Sequence, residues 1–235
     1  MEIIGKGDNS CVFRGFPRLA TTFNIKCDVL VTKVMHNAEL FNEQIKIAKN
    51  LQDLDPSQDF LLYPIAWSSQ YYGSEFNLLC SFPIQTTYHH IMQLPYGGIT
   101  LKSLVKNKIT FTETQSRHLI YGLHDCIEKL HINKLSHGDL HSGNIVINDN
   151  MEVHLIDIDH KRTIIQDIED FSTHVMHEIG NLTEPGDFSE RLKYNASKNR
   201  SMKLTLRKAL ESIDREITSN YSSKRQRLNG GIKLF

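Results

Sequence analysis

Hydrophobic and polar positions alternate along residues 3–34, or cluster as β-formers around glycines: Val12-Phe13 follows Gly5 and Gly7, and Val29-Leu30-Val31-Thr32-Lys33-Val34 comes later. A period of two sends successive side chains to opposite faces of a pleated strand, so this stretch predicts a hairpin followed by a third strand. At residue 38 the period changes. Leu40, Phe41, Ile45, Ala48 and Leu51 recur at helical spacing with polar residues between them, which predicts an amphipathic helix on the small sheet over residues 38–51. Residues 60–67 and 77–82 read as two further β-like runs. His90-Ile91-Met92-Gln93-Leu94 then ends in Pro95-Tyr96-Gly97-Gly98, a composition that interrupts regular structure.

Beyond that break the helical period dominates. Thr112 is placed to cap a helix over residues 112–130 with Leu119, Leu123, Ile127 and Leu130 on one face. Two short apolar runs, Ile145-Val146-Ile147 and Val153-His154-Leu155-Ile156, flank Asn148-Asp149-Asn150, a turn composition that predicts a hairpin. Asp167-Ile168-Glu169-Asp170-Phe171 opens another helix, and a stripe of Leu204, Leu206, Leu210, Ile213 and Ile217 predicts a late one over residues 202–217. The expected fold class is α+β, with a β-rich N-terminal lobe at 1–94, a reduced helical C-terminal lobe at 95–218 and a basic polar tail at 219–235.

Charge alters this picture little. The 235 residues carry 27 Lys plus Arg against 27 Asp plus Glu, so no bulk charge argues for nucleic acid as a partner. Cys11, Cys27, Cys80 and Cys126 lie far apart with no C-x-x-C spacing, which fits reduced thiols in a reducing compartment. No apolar stretch approaches ~18 residues and no basic-then-apolar leader opens the chain, so no membrane span or export is expected. The expectation is an intracellular protein, cytoplasmic or nuclear.

The chemistry concentrates in a few places. Gly5-Lys6-Gly7-Asp8-Asn9-Ser10-Cys11-Val12 fits G-x-G-x-x-S-x-V, in which glycines let the backbone bend over phosphates, although the same residues suit an ordinary hairpin turn. Lys33 sits between apolar residues on a predicted strand and can reach phosphates; a solvent-facing strand Lys is the plainer alternative. Glu39 and Glu43 lie one helical turn apart and either can fix that Lys, Glu43 being preferred because it sits deeper in the apolar-periodic part. His137-Gly138-Asp139-Leu140-His141-Ser142-Gly143-Asn144 places Asp139 and Asn144 five apart, and Asp157 follows Asn144 by thirteen in Leu155-Ile156-Asp157-Ile158-Asp159.

H-x-D-x-x-x-x-N followed by an apolar-apolar-D makes residues 3–175 resemble the protein-kinase-like superfamily. The resemblance implies a bilobal kinase-like fold and an ATP-dependent phosphotransferase using Mg²⁺ or Mn²⁺, with Ser or Thr hydroxyls of protein substrates as the favoured acceptors. It gives Asp139 the substrate hydroxyl, Asn144 and Asp157 the metal, and Lys33 the phosphates, braced by Glu43. Gly5, Gly7, Ser10 and Val12 would cover the nucleotide, with Met92, Gln93, Leu94 and Tyr96 lining the adenine pocket. Asp170 would be the helix acid that braces the catalytic loop. Small kinase-like proteins of large DNA viruses share this compact layout, which would imply host or virion phosphoproteins as substrates.

Several positions depart from the family pattern. Gly138 replaces the Arg that pairs with a phosphorylated activation loop, His141 the Lys of many Ser/Thr kinases, and Asp159 the Gly of D-F-G; no A-P-E follows. These departures keep a small-molecule kinase of the aminoglycoside or choline type open, and also a pseudokinase scaffold. A metal-hydrolase cluster of His137, Asp139, His141, Asp157 and His160 lacks any recognised ligand spacing.

Overall fold

The computed structural model describes residues 2–6, 10–16, 19, 29–71, 75–82, 88–159 and 162–199. Gly7, Cys27, His160, the helix expected at 202–217 and the basic tail lie outside them. Mixed α and β structure is divided between two compact units, residues 1–98 with 146–159 and residues 99–145 with 160–235. Residues 146–159, expected in the C-terminal lobe, therefore fold with the N-terminal unit.

The first unit is built on an antiparallel sheet of five strands, in the order β1 (Glu2–Lys6), β2 (Ser10–Arg14), β3 (Leu30–Met35), β5 (Tyr88–Pro95) and β4 (Ala66–Tyr71). Directly paired residues point to the same face, so the register sorts the sheet into two sides. On one side Cys11, Phe13, Val34 and Ile91 pack with Cys80 and Phe82. On the other, Met35, Met92 and Leu94 meet Phe41 and Ile45 of α1 (Ala38–Leu54), the helix that the apolar spacing predicts. Asn37 caps α1 by accepting from the Glu39 and Leu40 N–H groups at 2.9 and 3.1 Å, which satisfies donors the helix leaves open.

Two expected strands are corrected. Only Leu61 of residues 60–65 makes a bridge, to Leu155, and the strand starts at Ala66. The ladder is broken by Asp55, whose carboxylate takes the N–H groups of Asp59, Phe60 and Leu61 at 3.0, 2.9 and 2.8 Å, and by Pro64, which has no N–H; Leu62 and Ile65 donate singly to the Leu155 and Gln93 carbonyls at 2.9 and 2.8 Å. Residues 77–82 belong largely to a helix, α2 (Glu75–Cys80), closed by Ser81 at φ 59° and a Phe82 N–H bond to the Asn77 carbonyl. A short apolar run does not distinguish strand from helix. The expectation of reduced thiols is corrected too: β2 and α2 bring Cys11 and Cys80, 69 residues apart in sequence, together as a disulfide, while Cys126 is buried and outside any disulfide.

Residues 146–159 give this unit the predicted hairpin. β7 (Ile145–Ile147) runs beside β8 (Val153–Leu155), and the Asn148 side-chain oxygen accepts from the Asn150 and Glu152 N–H groups at 2.9 Å to close the turn. Gly98, at φ 106°, lies so close to the Ile147 carbonyl that a Cβ would collide with it, so glycine is required there.

The second unit is helical. After the short strand β6 (Ile99–Thr100) come α3 (Leu101–Lys106) and α4 (Glu113–Ile132), the latter opened by the predicted Thr112 cap, which forms a reciprocal capping box with Gln115. Leu119, Leu123, Ile127 and Leu130 are all buried, as their spacing requires. α5 (Ile164–Asp170) begins three residues before the expected start because Thr163 and Gln166 form a second capping box. A wide turn, Phe171–Val175, carries the chain into α6 (Met176–Leu182) and then α7 (Asp187–Asn199). The Thr183 hydroxyl bonds to Ser116 on α4 at 2.8 Å in the interior. No helix among the described residues is long and apolar enough to cross a membrane.

Candidate functional site

In the first unit the register collects most of the expected nucleotide-contacting residues. Ser10 pairs with Met35, Val12 with Lys33, Lys33 with Met92 and Val31 with Leu94. Ser10, Val12, Lys33, Met92 and Leu94 therefore share one face of the sheet, but α1 covers part of it: Met92 and Leu94 are buried against Phe41 and Ile45, so these two expected pocket-lining side chains are corrected to core residues. The Lys33 ammonium is almost buried and lies 2.5 Å from an Asp157 oxygen, an ion pair between residues 124 apart in sequence. Asp157 sits at φ 56°, a left-handed conformation uncommon for a residue with a Cβ and one that concentrates at functional positions. Of the two acids on α1, Glu39 is exposed near the N-cap and Glu43 is half-buried.

The remaining adenine-pocket candidates divide. Gln93 is fully buried with its side chain on the opposite face, where Nε2 donates to the Thr32 hydroxyl at 3.1 Å and Oε1 accepts from the Leu19 N–H at 2.7 Å. Strand alternation settles this, so the Gln93 side chain is corrected to a bracing group inside the sheet. Tyr96 places its ring under the Arg14 guanidinium at 4.3 Å, and its N–H donates to the Val29 carbonyl. Gly5 pairs with Val12, and a Cβ there would sit 3.6 Å from the Val12 Cβ, an ordinary contact, so packing against Val12 does not demand the glycine.

In the second unit the H-G-D-L-H-S-G-N segment is organised around a residue that sequence reasoning missed. Asp167, on α5, is fully buried and accepts from the His137 N–H at 2.6 Å, the Gly138 N–H at 3.0 Å and His131 Nε2 at 3.2 Å. A buried carboxylate needs such donors to offset the loss of its hydration. Asp170, expected in this role, is instead partly buried and lies 3.5 Å from the half-exposed Arg162. Burial pushes its carboxyl above the usual range, against the pull of Arg162 and His174. One helical turn separates the two acids, and the buried one is the brace.

Gly138 has φ 84°, which a glycine adopts freely and an Arg does not, so the loop itself accounts for the departure at this position. The Asp139 N–H donates to His137 Nδ1 at 3.3 Å. Asn144 Nδ2 donates to the Asp139 carbonyl at 2.9 Å and lies 3.4 Å from the Asp139 carboxylate, which leaves Oδ1 as the atom of this side chain suited to a hard cation. His141 Nδ1 accepts from the Gly143 N–H at 2.9 Å, and its Nε2 is 3.4 Å from Asp139 Oδ2. With Nδ1 of both His137 and His141 accepting from backbone N–H groups, each neutral ring carries its proton on Nε2 and presents no lone pair to a metal, which argues against the hydrolase cluster. Among the described residues, a grouping at metal-ligand distances is His124, Asp125 and Glu128 on α4, outside the proposed machinery.

No protein-family model matches this chain, and no curated protein matches it. Its function is therefore argued from these residues alone.

Proposed function

We propose that this chain is an ATP-dependent phosphotransferase of protein-kinase-like bilobal design that transfers the γ-phosphoryl group to Ser or Thr hydroxyls of proteins. The observation that carries the reading is the Lys33–Asp157 ion pair. Two residues picked out by separate motifs, far apart in sequence, meet at one point of the fold. A buried ammonium and a carboxylate that neutralise each other are groups that a phosphate and a divalent cation can engage charge for charge. The Asp157 carboxylate is a hard oxygen donor and suits Mg²⁺ or Mn²⁺ better than softer metals, as does Asn144 Oδ1 on its own unit. Bound ATP and Mg²⁺ would supply the phosphoryl group and neutralise its charge.

The chain's own residues then have distinct tasks. Lys33 holds phosphate oxygens, Asp157 offers a carboxylate to the cation, and half-buried Val12 offers an apolar surface to the base, with Met92 and Leu94 buried on the same face against α1. Asp139 accepts a hydrogen bond from the acceptor hydroxyl and orients it, and the Asp167 brace keeps its loop preorganised. Gly138 leaves no Arg for a phosphorylated loop to grip, so activity does not depend on activation-loop phosphorylation. The test is transfer of labelled γ-phosphate with Mg²⁺ to mixed proteins and to a panel of aminoglycosides and choline. Label in protein supports the proposal, and label only in a small molecule changes the acceptor class. ATP binding without any transfer, under conditions where a control kinase is active, would make the chain a nucleotide-binding scaffold.

A further inference from the structure

We propose that His141 is a positioning residue that fixes the Asp139 carboxylate, and that Gly143 is the residue that makes room for it. The inference rests on the phosphotransferase reading and adds a residue whose role the motif alone leaves open. A ring nitrogen that accepts a hydrogen bond carries no proton, so the Gly143 N–H donating to Nδ1 at 2.9 Å places the His141 proton on Nε2. That Nε2 lies 3.4 Å from Asp139 Oδ2. The tautomer needed to donate to the carboxylate is thus selected by the loop backbone itself.

Gly143 carries the second, independent observation. A Cβ at this position would lie 2.7 Å from Cε1 and 2.9 Å from Nδ1 of the His141 ring, so the imidazole occupies the space that any other residue would fill. Asn144 Nδ2 donates to the same carboxylate oxygen at 3.4 Å from its own position on the loop, and His141 Nε2 stands at ion-pair distance from it. Both Asp139 and His141 are about half exposed, with side-chain exposures of 44% and 50%. Contacts between such groups add little to stability, so the consequence falls on the orientation of the carboxylate in the reaction and not on folding.

The test uses the full chain and compares His141→Ala, His141→Gln and Gly143→Ala. Gln keeps an N–H donor near the place of Nε2. Loss of carboxylate orientation predicts that His141→Ala and Gly143→Ala each lower kcat by roughly 10- to 100-fold with KM for ATP unchanged. His141→Gln recovers most of the rate. The ring tautomer is read separately, from two-bond ¹H–¹⁵N correlations of ¹⁵N-histidine-labelled protein, where Nε2–H is expected and its resonance moves in Asp139→Asn. Wild-type kcat in His141→Ala, or a Gln variant as slow as the Ala variant, overturns the positioning role. A proton on Nδ1 overturns it whatever the activity. An Nε2–H tautomer that responds to Asp139 in a protein without transferase activity leaves the contact intact and overturns the functional reading beneath it.

Discussion

Lys33 and Asp139 are held by different physics. Lys33 is placed by strand register: its neighbours Val12 and Met92 are fixed by ladder hydrogen bonds, and its charge is met by one partly exposed carboxylate. Asp139 stands on an irregular loop whose backbone donors are gathered by the buried carboxylate of Asp167. A sheet positions a side chain through many weak, redundant bonds, whereas the start of this loop is anchored by one buried acid, with His137, His141 and Asn144 bonding its backbone further along. The first arrangement tolerates loss of the charged group itself, and the second does not tolerate loss of its support.

The largest effect expected is on turnover. Asp139→Asn should lower kcat by about 10²- to 10⁴-fold while ATP affinity is kept, since the residue acts on the acceptor hydroxyl. An equal loss of ATP binding, seen by calorimetry, would merge two roles kept apart here. Next comes stability, where the two regions should diverge. Asp167→Ala strands the buried His137 and Gly138 N–H groups and should destabilise the protein by about 3 kcal/mol or more in urea unfolding. Lys33→Met replaces a nearly buried ammonium with an apolar chain of similar length and leaves Asp157 partly solvated, so stability should change by less than about 1 kcal/mol while transfer is lost. Equal destabilisation by both would erase the contrast.

Acid should also separate the regions. Burial lowers the pKa of His89, His90 and His154, all in the first unit, below the ordinary histidine value of 6.5. A depressed histidine contributes stability that is complete above that value and is lost as pH falls below it toward the folded-state pKa, because the unfolded chain takes up the proton first. Amide protection, measured against the intrinsic exchange rate at each pH, should therefore fall in β4 and β5 before it does in α4 as the solution is made mildly acidic. The smallest effect is at Asp170. Its carboxyl is raised by burial, so the charged form is disfavoured at neutral pH and the associated stability is present only below the ordinary carboxylate range. Asp170→Asn should raise the melting temperature slightly at pH 7 and leave it unchanged in acid.

Much of this fold was legible because the relevant signals are local. The apolar spacing of α1 and α4, the Thr112 cap and the Asn148-Asp149-Asn150 turn are each decided within a few residues, and each forms as its chemistry requires. The α2 segment was not legible, since six residues of apolar character satisfy either period. The stretch before Ala66 failed for a different reason: the Asp55 carboxylate takes the Phe60 and Leu61 N–H groups, which nothing in residues 60–65 announces, although Pro64 does signal a break in the ladder. Within the candidate site, motif spacing found Lys33, Asp139, Asn144 and Asp157. It missed Asp167, because its burial depends on how α5 lies against the loop, and Asp170 carried the same residue type one turn away. The Cys11–Cys80 pair was hidden likewise, since contact between β2 and α2 is set by the sheet and not by cysteine spacing.

The central claim is that Asp139 drives phosphoryl transfer from a nucleotide held by other residues. Its most direct test is the Mg²⁺-dependent rate of γ-phosphate transfer to protein by wild type and Asp139→Asn, with ATP affinity measured on the same samples. The account predicts transfer by the wild type, a drop of at least about 10²-fold in the variant, and matching affinities. Equal transfer rates for the two proteins would contradict it.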